Sequence, residues 1–191
     1  MTREERMLAL MADTDKHFAA YYDVIPNLIR KRGYKIGIEI GVFAGGHARR
    51  ILGTTELHSL IGIDPYMIYK HGGMPSGIES QEDFDCLCDL VAKRLSPTRY
   101  QLLKMTSDTA FQLLDSELRY DFVFIDGFHS YDQVKKDLIN YSQLIRKGGV
   151  ISCHDYHHPS YPNLTKAIDE FAKQHHTKVV CGPLHLIYME W

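Results

Sequence analysis

The chain predicts an α/β fold, a doubly wound, mostly parallel sheet with an antiparallel C-terminal hairpin strand. Two observations predict it. Short apolar runs alternate with helical periodicity from about residue 35 onward, and crossovers of that length leave neighbouring strands parallel. Two of the runs, Tyr120-Asp-Phe-Val-Phe-Ile-Asp126 and Val150-Ile-Ser-Cys-His-Asp155, read as buried strands that end in charge. Ligands of open α/β sheets sit outside the carboxyl ends of strands, so Asp126, His154 and Asp155 become site candidates.

Residues near 3–32 show helical periodicity, and Lys35-Ile-Gly-Ile-Glu-Ile-Gly41 is the first strand, followed by a helix from near Gly46. His58-Ser-Leu-Ile-Gly-Ile-Asp64 is the second strand and Tyr100-Gln-Leu-Leu-Lys104 the third, with a helix over about 80–94 between them. A helix over about 130–145 and the turn Lys147-Gly-Gly149 link the two charged strands, and a further helix spans about 163–176. Lys178-Val-Val-Cys181, Gly182-Pro183 and Leu184-His-Leu-Ile-Tyr188 form a hairpin, which brings the sheet to seven strands. The segment 65–81, with His71-Gly-Gly-Met-Pro-Ser-Gly77, is too rich in glycine for regular structure and leaves a strand's carboxyl end, as a lid or substrate loop would.

With 191 residues, 45% of them hydrophobic and 24% charged, the chain suits one domain, residues 1–34 being a helical cap. The net charge of −2 comes from evenly spread charges, which leaves no footprint for nucleic acid and points to a small-molecule partner. No apolar run is long enough to span a bilayer, and Arg3, Glu4, Glu5 and Arg6 do not open a signal peptide, so a cytoplasmic location is expected. Cys86, Cys88, Cys153 and Cys181 have neither zinc-site nor disulfide-framework spacing and read as reduced thiols. An exposed apolar face on the first helix would favour a homodimer.

Glu39-Ile-Gly41-Val-Phe-Ala-Gly45-Gly46 places glycines where a strand turns into a helix, which lets a ligand approach the backbone. A dinucleotide fingerprint would need glycine at Phe43, whose side chain obstructs a pyrophosphate. Asp64 lies 23 positions beyond Gly41, close to the roughly 20-residue offset of an acid that accepts from ribose hydroxyls. An adenosine ligand without a diphosphate satisfies both, and S-adenosylmethionine brings positive charges that suit Glu39, Asp64 and Asp126.

Over nearly its whole length the chain resembles the class I S-adenosylmethionine-dependent methyltransferases, through E-I-G-V-F-A-G-G, I-G-I-D-P-Y, D-F-V-F-I-D-G-F-H-S-Y, K-G-G-V-I-S-C-H-D-Y and the closing hairpin. D-G-x-H-S-Y followed by G-G-V-I-x-x-H-D-Y is similar to a group of small methyltransferases related to the cation-dependent O-methyltransferases. The resemblance implies a Rossmann-like sheet and methyl transfer to a small-molecule hydroxyl. It implies that Glu39, Gly41 and Gly45 border the methionine and ribose of the cofactor, that Asp64 holds the ribose hydroxyls and that Ser107 and Asp108 flank the adenine. Asp126 would border the cofactor too and, with His154 and Asp155, would hold a divalent metal. The group's acidic residue after the Asp-Gly pair is here Phe128.

Two carboxylates and one imidazole suit Mn²⁺, Fe²⁺ or Zn²⁺ better than Mg²⁺, whereas the resemblance favours Mg²⁺ or Mn²⁺. His129, with an ordinary pKa near 6.5, is a candidate general base or else a brace at a helix start, and Asp126 would serve as base without a metal. His157 and His158 read as surface residues, and Tyr131 and Tyr156 as packing residues. Two other readings stay open: a non-catalytic S-adenosylmethionine-binding protein, and a metal-dependent hydrolase built on His154, Asp155, His157 and His158.

Overall fold

A computed structural model describes residues 1–17, 23–69, 75–95 and 99–191. Helices α1 (Arg3–His17) and α2 (Val24–Arg32) precede β1 (Ile36–Ile40), α3 (Gly46–Thr54), β2 (Ser59–Ile63), α4 (Gln81–Arg94) and β3 (Tyr100–Leu103). Then follow α5 (Ser107–Leu113), β4 (Tyr120–Ile125), α6 (Tyr131–Ser142), β5 (Ile145–Cys153), α7 (Pro162–Gln174), β6 (Val179–Cys181) and β7 (Ile187–Glu190). The seven strands form one sheet in the order β3-β2-β1-β4-β5-β7-β6, parallel except for β7, which runs antiparallel to both neighbours.

Each strand's alternation feeds two cores. On one face Phe122, Phe124, Leu60 and Tyr100 pack against Met7, Met11, Ile51, Leu87 and Val91 of α1, α3 and α4. On the other Ile38, Val123, Ile125 and Ile151 meet Leu138, Tyr141, Ile168 and Phe171 of α6 and α7. Helices thus cover both faces, and chain order reverses between β1 and β4, where a crevice opens at the strands' carboxyl ends.

Local chemistry sets the helix starts. Ser80, Thr106 and Ser130 accept from the amides of Asp83, Thr109 and Gln133 and so cap α4, α5 and α6. Buried Asp83 accepts from Arg3 at 3.0 Å and Arg6 at 2.7 Å, while Asp15 pairs with Arg49 at 2.9 Å and with Arg94, so α1 is fastened at both ends. Met7 and Met11 are buried beneath it, so the apolar face that would favour a homodimer is covered within the chain, although Leu8 stays exposed.

The structure differs from the sequence reading at four places. Helix α5 was absent from it, because seven residues are too short a window for periodicity. Lys147-Gly-Gly149 is not a turn before the fifth strand but a bulge inside β5, where pairing with β4 shifts from Tyr120↔Ile145 to Phe122↔Val150. Gly148 there is left-handed, and a Cβ on Gly149 would lie 2.6 Å from the Asp121 carbonyl. The last strand starts at Ile187 rather than Leu184, since Leu184 and His185 are left-handed and the turn closes through Gly182 N to Leu186 O. Finally, the region 3–32 contains two helices, and residues 18–22, like 70–74 of the 65–81 loop, lie outside the described residues.

Candidate active site

Gly41 leaves β1 with φ +85°, and a Cβ there would stand 2.0 Å from the Asp126 carbonyl oxygen, so the ends of β1 and β4 touch through a position that only glycine fits. Phe43 is also left-handed. Asp64 braces this turn: its Oδ2 accepts from the Val42 amide at 3.0 Å and the Phe43 amide at 2.9 Å, and its Oδ1 from the Tyr66 amide at 2.8 Å. Tyr66 then donates its hydroxyl to the Phe43 carbonyl at 2.8 Å. Burial pushes the Asp64 carboxyl above its ordinary value, against those three amides. Gly45 caps α3 and packs toward Val91, so Ala44 and Gly46 line the cavity in its place.

Glu39 points from β1 beneath the turn and is 1% exposed. Its Oε1 lies 2.9 Å from His47 Nδ1, while Oε2 is buried with no hydrogen-bond partner among the described residues. Burial raises the Glu39 carboxyl, His47 opposes the rise, and Asp126 and Asp64 add to it. A buried carboxylate oxygen turned to a cavity suits a cationic ligand. His47 escaped the sequence reading, because one histidine in a helix's first turn carries no pattern.

Asp126 directly follows strand β4, His154 and Asp155 directly follow strand β5, and one ligand atom from each lies within 4.8 Å of the others. His154 Nδ1 is 3.4 Å from Asp155 Oδ1 and 3.7 Å from Asp126 Oδ1. Asp155 has a left-handed backbone at φ +59°. Two carboxylates and an imidazole converging from adjacent strands fit a divalent cation.

His129 does not cap α6, a role Ser130 takes. Its Nε2 lies 2.6 Å from Asp155 Oδ2 and 3.6 Å from Asp126 Oδ1. Burial disfavours the imidazolium, but hydrogen bonds to Asp126 and Asp155 outweigh it and push His129 up to about 9. Asp155 shows the reciprocal effect, since burial would raise it but His129 and His154 hold it well below the usual carboxylate range.

His157 is exposed, as the sequence suggested. His158 instead lines the cavity, because Tyr161 sits 5.2 Å from its ring and itself stacks on His129 at 4.3 Å. Tyr131 and Tyr156 bond Glu170 and Asp169 and serve packing. Ser107 and Asp108, at the start of α5, are joined by two residues the sequence did not single out, Gln133 and Asp137. Glu39, Gly41, Asp64, Ser107, Asp108, Asp126, His129, His154 and Asp155 all line one cavity of about 1170 Å³.

Residues 38–156 match the family model described as a methyltransferase domain. An uncharacterised protein of Acanthamoeba polyphaga mimivirus is 30% identical over 122 residues, 62% of this chain and 50% of that protein, so the chain spans about half the length of this curated relative. An O-methyltransferase of Bacillus cereus in complex with S-adenosylhomocysteine superposes with TM-score 0.67 at 12% identity, covering 97% of this chain and 90% of that one. A TDP-rhamnose 3'-O-methyltransferase of calicheamicin biosynthesis superposes with TM-score 0.64 at 15% identity, covering 99% and 93%. An S-adenosylhomocysteine-bound methyltransferase of Podospora anserina does so with TM-score 0.62 at 16% identity, covering 90% and 77%. The chain belongs to the methyltransferase domain family, and its fold is that of the class I S-adenosylmethionine-dependent methyltransferases.

Proposed function

We propose that the protein transfers the methyl group of S-adenosylmethionine to a hydroxyl of a small-molecule acceptor, with a divalent cation, Mg²⁺ or Mn²⁺, held by Asp126, His154 and Asp155. The observation that carries this reading is the shared cavity, in which the braced glycine turn and the three converging ligands face the same space. Glu39 faces the cationic end of the cofactor, Asp64 the ribose through the lone pairs its amide bonds leave, and Ser107 and Asp108 the base. Phe128, Tyr161 and His158, with Met67, Ile68 and Pro75, wall the acceptor.

When bound, the cation supplies positive charge that lowers the pKa of a nearby hydroxyl. The acceptor oxygen loses its proton and forms a bond to the methyl carbon, while the carbon–sulfur bond breaks and its electron pair returns to sulfur, leaving S-adenosylhomocysteine. His129 is assigned as proton acceptor, with Asp126 taking that role where no cation binds. The hydrolase alternative loses support, since among the described residues ligand atoms converge at Asp126, His154 and Asp155, without His157 or His158.

Calorimetric titration of the metal-stripped protein with S-adenosylmethionine, repeated with Mg²⁺ or Mn²⁺, tests the proposal. Cofactor binding in both states, with His154→Ala losing only the metal response, is the expected result. Absence of cofactor binding in both would refute it, and absence of any heat of Mg²⁺ or Mn²⁺ binding to the native protein would remove the cation from the mechanism.

A further inference from the structure

Among the described residues the cavity is lined by seven acidic side chains and by no lysine or arginine. Glu39, Asp64, Asp126 and Asp155 belong to the proposed cofactor and metal sites, and Asp13, Asp108 and Asp137 add to them from α1, α5 and α6. Cations on the bordering helices are held by individual carboxylates instead. Lys136 reaches Asp108 at 2.7 Å without lining the cavity, Arg49 and Arg94 pair with Asp15, and Arg6 pairs with Asp83 at 2.7 Å and Glu79 at 3.2 Å. The histidines are matched too: His47 faces Glu39, and His129 and His154 face Asp126 and Asp155. His158 accepts from the Ser160 amide through Nδ1 at 3.2 Å, so that nitrogen carries no proton. Glu39 Oε2 stays buried with no hydrogen-bond partner among the described residues.

Proteins hold phosphate, sulfate and carboxylate groups chiefly through arginine, lysine or backbone amides. Helices α5 and α6, which begin at the cavity, already carry Asp108 and Asp132 in their first turns, and their capping hydroxyls take the Thr109 and Gln133 amides. We propose that the methyl acceptor is a neutral or amine-bearing hydroxyl compound, and that the cavity rejects acceptors that carry a phosphate, sulfate or carboxylate group. The inference rests on the methyl-transfer reading, whose acceptor it narrows. S-adenosylmethionine brings one net positive charge and the divalent cation two, against seven carboxyls. An anionic acceptor therefore meets the loaded site without a cationic side chain to pair with, at the cost of an unpaired charge taken out of water. An ammonium group instead finds carboxylates, among them exposed Asp13 at the rim. Met67, Ile68, Pro75, Phe128 and Tyr161 cover the uncharged parts of such a molecule.

The test uses three molecules that share a vicinal hydroxyl pair able to chelate a divalent cation and differ in charge: 3,4-dihydroxybenzylamine, 3,4-dihydroxybenzyl alcohol and 3,4-dihydroxybenzenesulfonate. Each is titrated calorimetrically into the full chain saturated with S-adenosylhomocysteine and Mg²⁺. The amine and the alcohol should bind about tenfold tighter than the sulfonate or more, because unmatched like charge disfavours the wrong partner. His158→Lys sets a cation on the acceptor wall, and should tighten the sulfonate about fivefold or more while weakening the amine, an opposed change that loosening of the fold would not give. Sulfonate binding as tight as that of the alcohol in the native protein, or a His158→Lys variant that weakens all three alike, would overturn the inference while leaving the methyl-transfer reading intact. Binding of none of the three to the loaded protein would refute a hydroxyl acceptor at the cation, and this inference with it.

Discussion

Replacing Gly41 by alanine puts the meeting point of β1 and β4 to a quantitative test. The new Cβ would stand 2.0 Å from the Asp126 carbonyl oxygen, 2.5 Å from its carbon and 2.9 Å from the Gly127 nitrogen. These are backbone atoms of a buried strand end, so relief needs the two strands to part by more than an ångström. Overpacking of that kind costs about 1–3 kcal/mol. The left-handed backbone at φ +85° adds about 1–2 kcal/mol for an L-residue. The total of about 2–5 kcal/mol lowers Tm by about 5–15 °C in a chain of this size. Gly33→Ala is the control: it shares the left-handed backbone at φ +67° but a Cβ meets nothing within 4 Å, so only the strain of about 1–2 kcal/mol applies. Differential scanning calorimetry of both variants measures the difference, and S-adenosylhomocysteine affinity should fall for Gly41→Ala alone. Equal Tm losses would show that the β1–β4 contact does not depend on glycine.

Burial raises Asp137 to about 6 in the folded protein, from near 3.9 unfolded, so ionising it penalises the fold; its contribution is fully present below about pH 4 and lost as pH rises through 6. Asp137→Asn should therefore gain on the native protein between pH 4 and 7, by up to about 3 kcal/mol in urea unfolding, and a pH-independent difference would contradict the burial argument. Burial would raise Asp83, but the Glu79 amide and the arginines Arg3 and Arg6 hold it below its ordinary value, so its stabilisation is present above about pH 4 and lost as pH falls through the folded pKa. Asp83→Ala should cost about 1–3 kcal/mol and raise hydrogen exchange in residues 3–17 before the sheet, and protection unchanged in α1 would show that the clasp is idle. Tyr66→Phe removes one hydrogen bond to Phe43 and should lower Tm by about 2–4 °C, with a several-fold weaker hold on S-adenosylhomocysteine; unchanged affinity would uncouple Tyr66 from the turn.

Much of the site was legible because strand ends are legible. Asp126, His154 and Asp155 end apolar runs, and parallel pairing of β4 with β5 brings such ends together whatever the side chains between them. Asp64 was found by its offset from Gly41, but its bonds to Val42, Phe43 and Tyr66 were not, since they depend on two left-handed residues that no local pattern announces. His47 gave no signal because a single histidine in a helix's first turn carries no pattern, and Gln133 and Asp137 gave none because their place depends on Ser107, far back along the chain.

By itself the sequence determined the order of the strands and of the longer crossover helices, the glycine turn and the residues at strand ends, because these follow from periodicity and from backbone conformations open to few residue types. Only the tertiary structure decided that His129 pairs with Asp155 rather than capping a helix, that His158 turns inward while His157 does not, and that Gly148 bulges within a strand. Those outcomes depend on which distant groups share a low-dielectric space, and side-chain direction and burial there are set by packing between elements rather than by neighbours in the chain.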